Sequence, residues 1–386
     1  MPYSAHLMRR LALLSAAVLV AGAFLFGYEL SRGQRAATPL TVTPVVDQVR
    51  EALALRYYRQ VPARVLRLGS VDAMISALGD PYTEYLPRSD YELLSRELAG
   101  SYVGIGLSVL PGKSGLVVDA IHPGPALKAG IRVGDTIVRI GSSPALGLDA
   151  GQVLTRIAGP RGSRVRLELL RAGRVRWVSV PREQLRSGSV QGRVVPFAGR
   201  QWGDVRIAAF TAGTARALRR ELLQLRRAGA EGLVLDLRDD PGGLLTQAVS
   251  VTSLFLNRGV VVTIRGAHEK TIVYRAHGGP ATRLPLVVLV DRGTASSAEV
   301  VAAALRDHHR ATVVGQRTYG KALVQSIDPL GDGGALELTV AHYYTADGAD
   351  ISGVGVAPDI RSVDRPQTPQ DEALATALQV LARPAS

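Results

Sequence analysis

The chain has no cysteine among its 386 residues. That absence excludes disulfides, thiolate metal sites, a cysteine nucleophile and a lipidated cysteine anchor together. Lysine is nearly missing too: it supplies 4 of the 46 basic side chains, at 113, 128, 270 and 321. Aromatic residues make up only 5%, so the cores must be built from Val, Leu, Ala and Ile. The net charge of +13 comes from arginines spread along the chain, with no basic block interleaved with aromatics. The pattern describes a solvated arginine-rich surface, and no nucleic-acid function is expected. A hydrophobic content of 46% with 20% charged residues is globular, and the length calls for two or three units.

What is present begins with an apolar run. Arg9-Arg10 precede an uncharged stretch, residues 11–28, about long enough to cross a bilayer. The arginines favour a cytoplasmic amino end at 1–10, a membrane anchor or signal at 11–30, and export of everything beyond. Ala21-Gly22-Ala23 resembles a small-residue cleavage site, the competing outcome, which would release a secreted protein. Residues 31–43 read as a linker.

Residues 44–98 read as a small helical unit, with Val45, Val46, Val49, Ala52, Leu53, Leu55 and Tyr58 mostly at helical spacings. From 99 to 185 the period changes to two and glycines appear within the strands. From 190 to 362 strands alternate with helices. The run Gly232-Leu233-Val234-Leu235-Asp236 is apolar until its last residue, as in a buried parallel sheet. Residues 260–264, 284–290, 311–314 and 335–340 are expected to continue that sheet. A tail with a short helix fills 363–386. The fold class expected is multidomain α/β and α+β: helical unit, β-domain, and a mostly parallel α/β core. Ligands in such cores bind where strand ends meet helix starts.

Two segments carry candidate chemistry. Thr294-Ala295-Ser296-Ser297-Ala298-Glu299-Val300 places two hydroxyls at the mouth of an apolar helix. Either is an N-cap or a nucleophile beside free helix N–H groups. A nucleophile needs a base. His308 and His309 close the same helix about three turns away, ~18 Å, beyond hydrogen-bond reach. His342, on a late strand, stays open. Lys321, in Tyr319-Gly320-Lys321-Ala322, is a competent base once burial neutralises its amine, which arginine could not do. Gln325, four residues on, would point the same way on a strand and orient that amine. Asp236-Leu237-Arg238-Asp239-Asp240-Pro241-Gly242-Gly243 is either an ordinary strand-to-helix turn or half of an oxyanion hole.

Two resemblances decide among these readings. Residues 100–181 resemble a PDZ domain of bacterial proteases through Tyr102-Val103-Gly104-Ile105-Gly106, Pro125-Ala126 with Ala129-Gly130-Ile131, Gly134-Asp135-Thr136-Ile137 and Gly159-Pro160-Arg161-Gly162. That resemblance implies capture of a peptide carboxylate by backbone at Tyr102, Val103, Gly104, Ile105 and Gly106. Residues 200–362 resemble the catalytic core of the carboxyl-terminal processing (tail-specific) peptidases, with a ClpP/crotonase-like fold implied. Position by position, the family's central serine falls on Ser296, its lysine, 25 residues later, on Lys321, and its glutamine on Gln325. Residues 236–243, 353–360 and 78–86 match three further family segments, in order.

The resemblance implies a serine endopeptidase with a Ser–Lys dyad, Gln325 in support, and an oxyanion hole from Ser297 with Gly242 or Gly243. No metal and no cofactor are implied; the partners are protein or peptide substrates with accessible C-termini and, through the amino-terminal helix, the membrane, and a homo-oligomer is compatible with the sequence. A non-catalytic PDZ scaffold is the alternative. Departures from the family pattern are Ser297 for alanine, Ala298 for a third serine, Ala322 for glycine, and Asp239-Asp240 for a more amide-rich pair, the last expected to make the cleft more acidic.

Overall fold

The computed structural model describes residues 23–24, 43–122, 124–148, 150–186, 188–268, 270–365, 368 and 370–383. The expected anchor therefore lies outside the described residues apart from Ala23–Phe24, a two-residue strand paired with Gly243–Leu244. Among the described residues no helix is long and apolar enough to cross a membrane.

Two units fold around separate cores. One spans Ala99–Ser187. Its strands Leu107–Gly112, Gly115–Ile121, Thr136–Ile140, Arg164–Arg171 and Arg174–Pro181 form an antiparallel sheet in that order. Ile105, Val118, Ile137, Leu167, Leu169 and Val180 fill its core. Asp135 is 1% exposed and pairs with Arg171, which holds its carboxyl below the usual range despite burial.

The other unit combines Met1–Leu98 with Gly188–Ser386. Its first sheet runs Val190–Phe197, Arg200–Ile207, Leu233–Asp236, Leu286–Val290, Thr312–Gly315, Ile360–Arg361. Only the first pair is antiparallel. The unbroken apolar runs have a simple cause, which is that both faces are covered. Leu235, Val288, Val290 and Val313 face the main core with helices Thr214–Arg227, Leu245–Thr252 and Ser297–Asp307. Trp202, Val234, Val287, Leu289 and Val314 face the helix Glu372–Ala382. The tail helix is thus a wall of the core.

Residues 260–264 and 335–340, expected in the parallel sheet, instead belong to a second one. There Ile272–Arg275, Val260–Arg265, Ala335–Tyr344 and Leu323–Pro329 pair antiparallel, and Glu84–Leu86 adds to Ala335–Tyr344. The strands Leu323–Pro329 and Ala335–Tyr344 are joined by a short glycine-containing turn, which permits only antiparallel pairing. Val49, Leu53, Val65 and Met74 from the helices, with Tyr57 just after the first, enter the main core, so 43–98 is part of this unit.

Arg238 fastens the tail helix to the sheet. Its guanidinium, 13% exposed, meets Asp236, Asp364 and Asp371 at 2.8–2.9 Å. Asp371 also caps the tail helix through Leu374 N–H. Arg238→Ala strands a buried Asp236 charge and is expected to cost about 3 kcal/mol or more. It should appear as a lower urea midpoint for the peptidase unit; an unchanged midpoint would show the cluster to be dispensable.

Candidate active site

Neighbouring parallel strands set up the site. Leu233–Asp236 and Leu286–Val290 are in register, Asp236 opposite Leu289. The loops leaving their carboxyl ends therefore start side by side, and these loops carry Gly242-Gly243 and Ser296. Thr294 Oγ1 donates to Leu237 O at 2.8 Å and Ala295 N–H to Asp240 O at 2.9 Å, locking one loop to the other. Gly242 has φ +99°, and a Cβ there would lie 2.8 Å from both Ser296 Cβ and Ser297 N. Only glycine lets the two loops approach this closely.

Ser296 is the N-cap of the helix Ser297–Asp307, with φ 53° and ψ −120°. A non-glycine residue in that region is strained and persists only where its surroundings hold it. Glu299 does much of the holding. Its Oε2 accepts from Ser296 N–H at 2.9 Å and Lys321 N–H at 2.9 Å; its Oε1 accepts from Gly320 N–H at 2.8 Å and from Thr318 Oγ1. Glu299 is 0% exposed. Burial raises its pKa, and these four donors pull it back. The Tyr343 hydroxyl makes a second bridge, between Ser296 O at 3.1 Å and Lys321 O. The serine and lysine backbones are thus joined at both their N–H and C=O groups.

Ser297 Oγ donates to Gly243 O at 2.7 Å, which commits the neighbouring hydroxyl to structure. Gly242 N–H donates to Asp240 Oδ1 at 2.8 Å in this state. Asp240 is 0% exposed, its Oδ2 has no hydrogen-bond partner, and burial lifts its pKa well above the carboxylate range. Burial thus disfavours the charged form of the Asp240 carboxyl. Asp239 meets Arg206 at 3.3 Å.

Lys321 is 3% exposed. Burial lowers its pKa, opposed by the charges of Glu337, Asp80, Glu84 and Glu299. Its Nζ lies 4.8 Å from the centre of the Tyr82 ring, a cation–π contact. The segment holding Tyr82 is fixed from below. Asp80 accepts from Tyr82 N–H at 3.0 Å and Thr83 Oγ1 at 2.8 Å, and Thr83 Oγ1 reaches Thr339 Oγ1 at 3.3 Å.

Lys321 stands before its strand, which begins at Leu323, and the ladder shifts register between Val324 and Gln325. The alternation expected to align Gln325 with Lys321 does not apply across this stretch. Gln325 is 1% exposed with neither amide atom hydrogen-bonded, so its expected bond to Lys321 is not made here. Behind Lys321, Gly353 N–H donates to Gly320 O at 2.9 Å, and Thr318 and Val356 exchange two bonds at 3.1 and 2.7 Å. Gly355 has φ +73°, and a Cβ there would lie 2.2 Å from Thr318 O.

His308 Nε2 lies 2.7 Å from Val260 O, and the His342 ring packs 5.0 Å from Tyr58. Sequence reasoning missed Glu299, Tyr343, Tyr82 and Glu337 as site residues. A usable signal existed for Glu299, because Ser296-x-x-Glu299 has the spacing of a capping box.

In the other unit, Ser101–Gly104 pairs with Glu183–Arg186, which engages Tyr102, Val103 and Gly104. Ile105 is buried, its carbonyl accepting from Ala126 N–H at 2.8 Å, and Gly106 O accepts from His122 N–H at 3.0 Å. The strand that follows, Leu107–Gly112, is the sheet's edge.

Residues 201–362 match peptidase family S41 and residues 117–171 match a PDZ domain. The chain is 35% identical over 310 residues to a chloroplastic C-terminal processing peptidase of Tetradesmus obliquus, covering 76% of this chain and 67% of that one. It is 31% identical over 349 residues to carboxy-terminal processing protease CtpA of Bacillus subtilis, covering 88% and 73%. A solved photosystem II D1 C-terminal processing protease superposes with TM-score 0.55 at 31% identity, covering 89% of this chain and 98% of that one. The chain belongs to peptidase family S41, the C-terminal processing serine proteases, and carries a PDZ domain.

Asp240 gives a pH prediction. Its folded pKa is raised above its unfolded value near 3.9, so the native state loses stability as pH rises from about 4 toward the folded pKa. Asp240→Asn removes that loss. Urea midpoints of the two proteins should converge near pH 4, with the variant ahead at pH 8; equal midpoints at pH 8 would contradict a raised folded pKa for Asp240.

Proposed function

We propose that this protein is an exported serine endopeptidase that binds protein C-terminal segments through its PDZ domain and cleaves peptide bonds with a Ser296–Lys321 dyad. The observation carrying this reading is the double bridge by which Glu299 and Tyr343 tie the Ser296 backbone to the Lys321 backbone. Export is argued from the apolar run after Arg9-Arg10, which would leave the catalytic part outside the cytoplasm.

In the mechanism, Ser296 Oγ attacks the scissile carbonyl as the neutral Lys321 amine takes its proton. The C–O bond forms, and the carbonyl electrons move to oxygen. The Ser297 N–H, at the first turn of its helix, and Gly243 N–H are the donors for that oxyanion; Gly242 N–H joins them on leaving Asp240. Collapse breaks the C–N bond, and the lysine ammonium returns its proton to the departing amine. Water, deprotonated by Lys321, then releases the acyl group from Ser296. Gln325, buried with its amide unbonded, is suited to receive the lysine ammonium or to hold the attacking water. The PDZ edge strand Leu107–Gly112 accepts the substrate tail as an added strand, its carboxylate near Gly104–Gly106.

A panel of unfolded proteins and peptides with free C-termini, with products identified by mass, tests the chemistry. Ser296→Ala and Lys321→Ala should each lower kcat/KM by about 10³-fold or more, while Ser297→Ala keeps turnover. Full activity in either dyad variant sinks the reading, and loss on His342→Ala with retention in Lys321→Ala would shift it to a Ser–His pair. Binding has its own measure. Amidating the peptide carboxylate should weaken binding to the Ser296→Ala protein by about tenfold, and equal affinities would remove the PDZ role.

A further inference from the structure

A buried carboxylate that the dyad mechanism does not use stands in the neighbourhood of Lys321: Lys321 Nζ lies 4.8 Å from the centre of the Tyr82 ring, and Glu84, two residues beyond Tyr82, is paired with Glu337. Glu337 is 1% exposed and its Oε2 has no hydrogen-bond partner. Strand register fixes where it stands. Gln325 is opposite Thr339 and Ile327 opposite Glu337, so Gln325, Ile327, Thr339 and Glu337 share one face of the antiparallel sheet. Glu84 pairs with Glu337 and joins that face, as do Leu86 and Ala335. Leu86, Ala335 and Ile327 cluster with Leu244, the residue after Gly243. The face bearing Glu337 is therefore the one turned toward the Gly242-Gly243 turn.

Building on the Ser–Lys reading, we propose that Glu337 is a positioning residue for Lys321: its carboxylate holds the amine in the ammonium form and so sets the pH above which the peptidase can work. The groups facing Lys321 are Asp80, Tyr82 and Glu84 from the segment before the PDZ domain, Glu299 from the helix, and Glu337 from the central strand. Those facing Glu337 are Lys321, Glu84 and Asp80. Glu299 already accepts from four donors, and Asp80 is engaged by Tyr57, Tyr82 and Thr83. Glu84 is only half-buried. Glu337 alone among these carboxylates combines near-complete burial with an unbonded oxygen, so its charge acts on the amine least screened.

The sign follows from the two states. Burial alone favours the neutral amine, and burial also lifts Glu337 to about 8. Once ionised, Glu337 favours the ammonium and opposes burial. Lys321 then yields its proton at a higher pH than burial by itself would require, and the rising limb of kcat/KM moves up with it.

The test uses the full chain and a fluorogenic peptide with a free C-terminal carboxylate, following kcat/KM from pH 5 to 10. Glu337→Gln and the uncharged, similarly bulky Glu337→Leu should both move the acid limb down by about one pH unit or more, and Glu337→Asp should hold it near the wild-type position. An unmoved limb in a folded neutral variant overturns the proposal. So does loss of folding in both neutral variants, since a tuning charge is dispensable for the fold. Failure of the underlying dyad reads differently: wild-type turnover would survive Ser296→Ala or Lys321→Ala.

Discussion

The site depends on one buried carboxylate. Glu299 takes the Ser296, Gly320 and Lys321 N–H groups and the Thr318 hydroxyl from two segments more than twenty residues apart in the chain. Each of those N–H groups would otherwise be a buried orphan costing about 1–3 kcal/mol. The same carboxylate caps the helix, holds Ser296 at its positive φ, and anchors the start of the lysine loop. Tyr343 repeats the connection on the carbonyl side. A serine and a lysine can be placed accurately relative to each other only if their backbones are, and here that accuracy comes from hydrogen bonds rather than from a continuous element.

Around this link the protein keeps several ionisable groups dry. Asp240, Glu299, Lys321 and Glu337 are all nearly or wholly buried. They are handled differently. Burial disfavours the charge of Asp240, Glu299 is saturated with donors, and Lys321 is pushed toward neutrality by burial while acidic neighbours push back. Low dielectric magnifies each charge, so the charge state of Lys321 is a balance between burial and its acidic neighbours. In the proposed Ser–Lys reading, the parallel sheet supplies the nucleophile and anion loops at its strand ends, and the segment leading into the antiparallel sheet supplies the base.

Much of this was legible from the chain because the candidate nucleophile, the candidate base and the glycine turn sit in short runs whose spacing is distinctive. The apolar runs at 233–236 and 286–290 announced a parallel sheet covered on both faces, and the structure has one. The strand at 335–344 was harder. Its alternating pattern gives a face but not a depth, and nothing in the run told that the face bearing Glu337 is buried as well. Reading Lys321 and Gln325 as one strand failed because the strand starts after the lysine and a register shift intervenes. Glu299 was visible as a helix-entry residue, but nothing local tells that its carboxylate also collects donors from Thr318 to Lys321. Such long-range sharing of one acceptor has no sequence period. Tyr82 came into view only as part of a matched segment, with no hint that its ring would lie over the lysine.

The close contact between Gly355 and Thr318 has a bearing on the order of events during synthesis. The loop carrying Lys321 is held from behind by backbone at Gly353 and Val356, and a chain that ends before those residues lacks that support. Ser296 and Lys321 can both have left the ribosome while the framework that sets their geometry is still being made. The backbone around Lys321 is thereby completed only by residues more than thirty positions later in the chain.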